Sequence, residues 1–306
     1  MVILTVVSTN GGIGKTTVTA NLSAVLADMG FRVLMIDTDT QASLSKFYPI
    51  HYRAPNGVVE LLLGKNDESV IQSTISNTVY PNLDIVLSNN IRDDVQNKVQ
   101  NRPDRAFLLR SKLVHPCIAE NYDAVLIDTK GSVGVIQDAA CFAANLLLSP
   151  IMPETLSARE FVSGTQEALD RLAHGAVMNL PILPLLALIY ARDRTKDARI
   201  ITEGIKAYFN QSLDGKKQLL PLEIPYAKTY KEAATLRIPV HCHEWTHSGK
   251  SESARQQMIR LVYELFPPIK EQQVECHLFG DRLENLLPEE TASGTGADNT
   301  PAEVRS

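Results

Sequence analysis

The stretch Ser8–Thr17, "STNGGIGKTT", constrains the fold more than any other part of the chain. It follows a short apolar, β-branched run, Val2 to Val7, which reads as a strand buried on both faces. It leads into a helix expected from Thr16 to Met29, with Ala20, Leu22, Ala24, Val25 and Leu26 on its apolar face and Gly30 just past its end. A strand, a Gly-rich turn and a helix in that order form a cradle for phosphate. Gly11, Gly12 and Gly14 let the backbone turn tightly and aim N–H groups at phosphate oxygens, and the helix N-terminus adds the positive end of its dipole. Lys15 is then placed to reach the β- and γ-phosphates, and the Thr16 hydroxyl to ligate magnesium. Asn10, Ile13 and Thr17 complete the expected contacts to ATP. The strict GxxxxGK[ST] pattern would require Gly at position 9, where this chain has Thr9.

Strand and helix patterns alternate beyond this loop. Strands are expected at 33–36, 83–88, 124–128, 145–150 and 182–190, with a further one ending near Pro225; helices are expected at 106–120, 157–174, 196–209 and 251–266. That alternation predicts an α/β fold, a doubly wound and mostly parallel sheet with helices on both faces. Residues 1–267 read as one P-loop domain. Residues 268–306 hold eight acids and three bases and end in a Gly-, Pro-, Ser- and Thr-rich stretch, so they are expected to form an acidic, disordered tail.

With 44% apolar and 21% charged residues and a net charge of −5, the chain belongs among ordinary globular proteins and is not globally basic. It has no run of eighteen apolar residues, and no basic segment at its start, so neither a spanning helix nor a signal peptide is expected. Four scattered cysteines without CxxC spacing read as free thiols of a cytoplasmic protein.

Three segments, the loop at 8–17, "VLMIDTDTQASLS" at 33–45 and "YDAVLIDTKGS" at 122–132, together resemble the ParA/MinD family of ATPases, with ParA/Soj-type partition proteins as the nearest likeness. The resemblance implies a doubly wound P-loop ATPase that binds ATP and Mg2+ and pairs as an ATP-sandwich homodimer. It implies that Asp39 orients the attacking water, that Asp37 supports the magnesium shell and that Asp128 holds magnesium through a water. Residues 129–134 would form the switch that senses the γ-phosphate, and "LEIPYAKTYKEA" at 222–233, with Pro225, would flank the base. Chemistry agrees about Asp39, because a carboxylate just past a strand's C-terminal end faces the nucleotide crevice.

Two positions depart from the family pattern. Asn10 stands where the family has a lysine that reaches the partner's phosphates, and Lys130 stands where it usually has proline. Lys130 is therefore a candidate to supply the missing charge. Residues 192–260 carry thirteen Lys or Arg against eight acids. The resemblance turns this surplus into an expected non-specific DNA surface built on Arg192, Arg194, Lys216, Lys217 and Lys228. It also implies a ParB-like stimulating partner and a location on the bacterial nucleoid.

The end of the chain is polar and acidic, unlike a basic membrane-binding helix, so no membrane partner is expected. "HCHEWTH" at 241–247 lacks the spacing of a known metal site and reads as a surface loop, and Val135 stands where an iron–sulfur relative would have cysteine. Two functions follow. One is a weak partition ATPase that segregates a plasmid, mobile element or chromosome region. The other is an ATP-dependent binding switch with little hydrolysis, or a positioning ATPase acting on a non-DNA cargo.

Overall fold

Nine strands form one sheet in the order β3-β4-β5-β2-β6-β1-β7-β8-β9 in the computed structural model, which describes residues 1–89, 93–173, 183–211, 215, 217–247, 249 and 251–279. The strands are β1 (Val2–Val6), β2 (Val33–Asp37), β3 (Ile50–Tyr52), β4 (Ile75–Thr78), β5 (Leu83–Val86), β6 (Ala124–Asp128), β7 (Leu146–Ile151), β8 (Leu185–Arg192) and β9 (Lys217–Pro225). All pairings are parallel except β3 with β4 and β4 with β5. The central strands are continuous apolar runs because helices cover both faces: every residue of β2 and β6 is buried.

Helix α1 (Lys15–Asp28) crosses behind the sheet and is buried almost all round. Val18, Leu22, Val25 and Leu26 pack between the sheet and the helix Ala254–Leu265, whose Met258, Leu261 and Val262 close that layer. On the opposite face Leu61, Leu109, Leu113 and Ile136 pack against Leu34, Ile36, Val125 and Ile127.

Two expectations need correction, and two strands were not expected. The helix expected at 106–120 is two short helices, Leu108–Leu113 and Pro116–Ala119; Pro116 has no N–H to donate and starts the second. The segments "IHY" and "ISNT" are strands β3 and β4, antiparallel additions too short and polar to show a period. The supposed tail does not begin at 268. Pro267–Glu271 is helical, and the next residues return to α1, where the His277 and Leu278 N–H groups donate to the Asp28 carbonyl at 3.1 and 3.2 Å. Phe279 is fully buried against Tyr80 and His241. Apolar Cys276, Leu278 and Phe279 hold that segment down despite its polar surroundings. Residues 280–306 lie outside the described residues.

Candidate nucleotide site

Strand register brings the site together. Val6 of β1 pairs with Asp128 of β6, and Asp128 pairs with Asp37 of β2, so three strands end in one row. The loops that leave them, at 7–14, 38–45 and 129–134, therefore emerge side by side at the C-terminal edge, where the crevice of such a sheet lies.

Gly14 caps α1 in the left-handed region with φ 90°, and a Cβ there would also overlap the Tyr190 ring. Lys15 begins the helix and is buried; its Nζ donates to the Asn10 carbonyl at 2.6 Å, closing the loop on itself. Burial lowers the Lys15 pKa, while Asp128 and Asp39 pull it back up.

The Thr16 hydroxyl donates to Asp128 Oδ2 at 2.6 Å. Burial pushes the Asp128 carboxyl up to about 8, with Thr16 and Lys15 opposing and Asp37 and Asp39 reinforcing the rise. Asp128 Oδ1 is buried without a hydrogen-bond partner. A buried carboxylate oxygen left unpaired beside a threonine hydroxyl fits a divalent cation, which would offset the cost of burying that charge.

Asp37 has a more immediate task than a place in the magnesium shell. Its Oδ2 accepts from the Ser45 N–H and hydroxyl, both at 2.7 Å, and its Oδ1 accepts from the Asp39 N–H at 3.0 Å. The carboxylate thus fixes the loop that carries Asp39. Asp39 is half-buried; its Oδ1 accepts from the Gln41 N–H at 3.0 Å.

Residues 129–134 lie against the phosphate loop. A Cβ on Gly131 would collide with the Asn10 carbonyl and the Gly11 nitrogen. Lys130 is exposed beside that contact. Gln137, which the sequence reading passed over, ties the two loops together: its Nε2 donates to the Ser8 carbonyl at 2.9 Å and to the Lys130 carbonyl at 3.2 Å. No sequence signal marks it, since a glutamine near a helix start is ordinary.

A cavity of about 280 Å³ opens beside the loop, bounded by Gly12, Gly14, Thr17, Tyr190, Pro225 and Tyr226. Tyr190 and Tyr226, at the ends of β8 and β9, give it aromatic walls. The tyrosines in "LIYARD" and "IPYAKT" were the available hint.

The basic residues do not form one surface. Arg194 and Lys228 are exposed near the C-terminal ends of β8 and β9. Arg192 is paired with Glu223 at 2.6 Å, so much of its charge is answered. Lys217 stands opposite Leu185 at the other end of the strands, with seven residue steps of β8, roughly 23 Å, between that row and Arg192. Its Nζ donates to the Tyr208 hydroxyl at 2.5 Å and lies 3.9 Å from that ring's centre. Lys216 lies outside the described residues. A count of charges along the sequence carried no information about strand ends.

The crossover sheet, the Gly-rich loop at the head of α1 and the Lys15–Thr16–Asp128 cluster define a P-loop nucleotide-binding protein. Residues 1–173 match the AAA domain family, and the chain belongs to it. A protein of Rhizobium rhizogenes described as a replication protein A is 34% identical over 56% of this chain, which spans 45% of that relative's length. The chromosome partitioning protein ParA of Myxococcus xanthus is 28% identical over 81% of this chain and 83% of its own length. An ATP complex of Cyanothece McdA superposes with a TM-score of 0.68 at 20% identity, covering 90% of this chain and 97% of that one. No helix among the described residues is long and apolar enough to cross a membrane.

Proposed function

We propose that this chain is a ParA-like ATPase that binds ATP with magnesium at the head of α1, pairs with a second copy and holds DNA without regard to sequence. The observation that carries the reading is the buried, unpaired Asp128 Oδ1 beside Thr16 and Lys15. Thr16 and Asp128 would hold the magnesium, with Asp37 behind them, and the ion would neutralise charge on the terminal phosphates. Loop N–H groups of residues 10–17 and Lys15 bind the phosphates, and the cavity at Tyr190, Pro225 and Tyr226 takes the base. Asp39 orients the attacking water. Gln137 links the loop that touches phosphate to the loop that would report its loss. The M. xanthus and R. rhizogenes relatives, described by partitioning and replication roles, favour maintenance of a replicon as the task. A ParB-like protein would be the stimulating partner.

Asn10 supplies no cation where the family has lysine, and Lys130 stands exposed beside the same stretch of backbone. Lys130→Ala should lower turnover severalfold while leaving ATP affinity nearly intact, because the charge acts mainly in the closed or transition state. Asn10→Lys should then raise hydrolysis more in the Lys130→Ala background than in the wild type. A double-mutant cycle reads this coupling, and strictly additive effects assign Lys130 to the surface.

DNA binding should require ATP and weaken steeply with salt, through released counterions. Reversing both Arg194 and Lys228 to Glu should lower the affinity and reduce the salt slope by about 2, at about 0.9 per phosphate contact. Lys217→Glu should do less, given its place at the far strand end. Filter-binding titrations across a salt series test this. An unchanged slope in the double reversal points to the alternative, a switch or positioning ATPase with a non-DNA cargo.

A further inference from the structure

The far end of α1 holds a second cluster of donor groups, remote from the phosphates. Asp28 closes the helix, His241 and Cys242 come from the short helix Val240–His243, and Cys276 comes from the returning C-terminal segment. His241 Nε2 lies 3.1 Å from Asp28 Oδ2, and one donor atom from each of Asp28, His241 and Cys242 lies within 4.8 Å of the others. Cys276 stands outside that group of three; its thiol lies 4.0 Å from the Val25 carbonyl, about one turn back along α1. Asp28 Oδ1 is held from behind by the Phe279 N–H at 2.6 Å, as a supporting donor orients a ligating carboxylate.

We propose that Asp28, His241 and Cys242 bind one zinc-class divalent cation, with the Cys276 thiol turning in as the fourth ligand, so that the metal fastens the C-terminal segment to α1. Metal–ligand bonds of about 2.0–2.3 Å give a tetrahedron with edges of about 3.3–3.8 Å. The 3.1 Å contact between Asp28 and His241 is close to such an edge. Two thiolates, one imidazole and one carboxylate suit zinc and not magnesium or calcium, which prefer oxygen.

The surroundings suit a cation at this place. The His241 ring is completely buried, so water does not compete with a metal for its Nε2. Arg255 lies within electrostatic reach of His241, Cys242 and Cys276, and its buried Nη1 has no hydrogen-bond partner. Two thiolates and a carboxylate exceed the charge of one divalent cation by one, and the Arg255 guanidinium balances that excess. Cys242 is half-buried, which leaves a way in. His243 turns instead toward Glu232 at 3.5 Å, so the "HCH" motif contributes two ligands.

The test uses the full chain, reduced and stripped with a chelator, then titrated with cobalt chloride and with zinc chloride. The expected result is one cobalt per chain, a thiolate-to-cobalt charge-transfer band, and displacement by zinc. Cys242→Ser and Cys276→Ser should each diminish the band and lower zinc affinity at least tenfold, the lower end even for supporting groups at about 10–100-fold. Zinc should also slow modification of the wild-type thiols by a disulfide reagent, a readout that needs no variant. Cobalt spectra without a thiolate band, a band retained in both serine variants, or thiols equally reactive with and without zinc would overturn the site and leave Asp28–His241 as a metal-free pair.

Discussion

Replacing Lys15 by alanine should weaken ATP binding by more than tenfold, with the fold retained. Among the described residues the buried ammonium is the one cation inside the loop at the head of α1, held there by the Asn10 carbonyl. A hydrogen bond from a charged group contributes about 1.5–3 kcal/mol, or roughly 10–150-fold in affinity, and no other described side chain stands where it could take over. Calorimetric titration of the variant with ATP and magnesium checks this, beside a thermal melt. Wild-type affinity in a folded variant would remove the phosphate site from this loop.

Asp39→Ala is expected to bind ATP almost as the wild type does and to lose hydrolysis, by about 10²–10⁴-fold if it orients the water as a positioned base does. The separation of effects follows from the structure. The main chain of the 38–45 loop is held by Asp37 through Ser45 and by the Ser88 hydroxyl on the Asp39 carbonyl at 2.7 Å, so the loop keeps its course without the Asp39 side chain. Single-turnover measurements at saturating ATP isolate the step. Turnover at the wild-type rate would give Asp39 a different role.

The parts of the site legible in the sequence are those whose chemistry is local. The turn, Lys15 and Thr16 sit within ten residues, and Asp128 ends a strand whose apolar run shows it. The doubly wound sheet follows from the same alternation of runs. Gln137 was invisible because its importance comes from touching two carbonyls, at Ser8 and Lys130, that no pattern connects to it. "HCHEWTH" read as a surface loop for the same reason. Asp28 lies 213 residues from His241, so the spacing within the motif could not show that a carboxylate meets it, or that His241 is buried. The basic stretch failed in the other direction. Counting charges along 192–260 joined Arg192 and Lys217, which parallel register sets at opposite ends of the sheet.

The crowding around the phosphate loop bears on how this sequence is free to drift. Gly14 faces the Tyr190 ring, Gly131 faces the backbone of Asn10 and Gly11, and Gly164 faces the Thr9 side chain; a Cβ at any of the three would need a neighbour to move. Inheritance should therefore be strictest at glycines far apart in the chain, of which Gly164 lies outside any recognised motif. The half-buried side chain of Asn10, which accepts only a long 3.4 Å bond from the Thr9 hydroxyl, is under no such packing rule. A lineage could therefore exchange the residue at position 10, and with it the charge offered to a partner, while the shape of the loop descends unchanged.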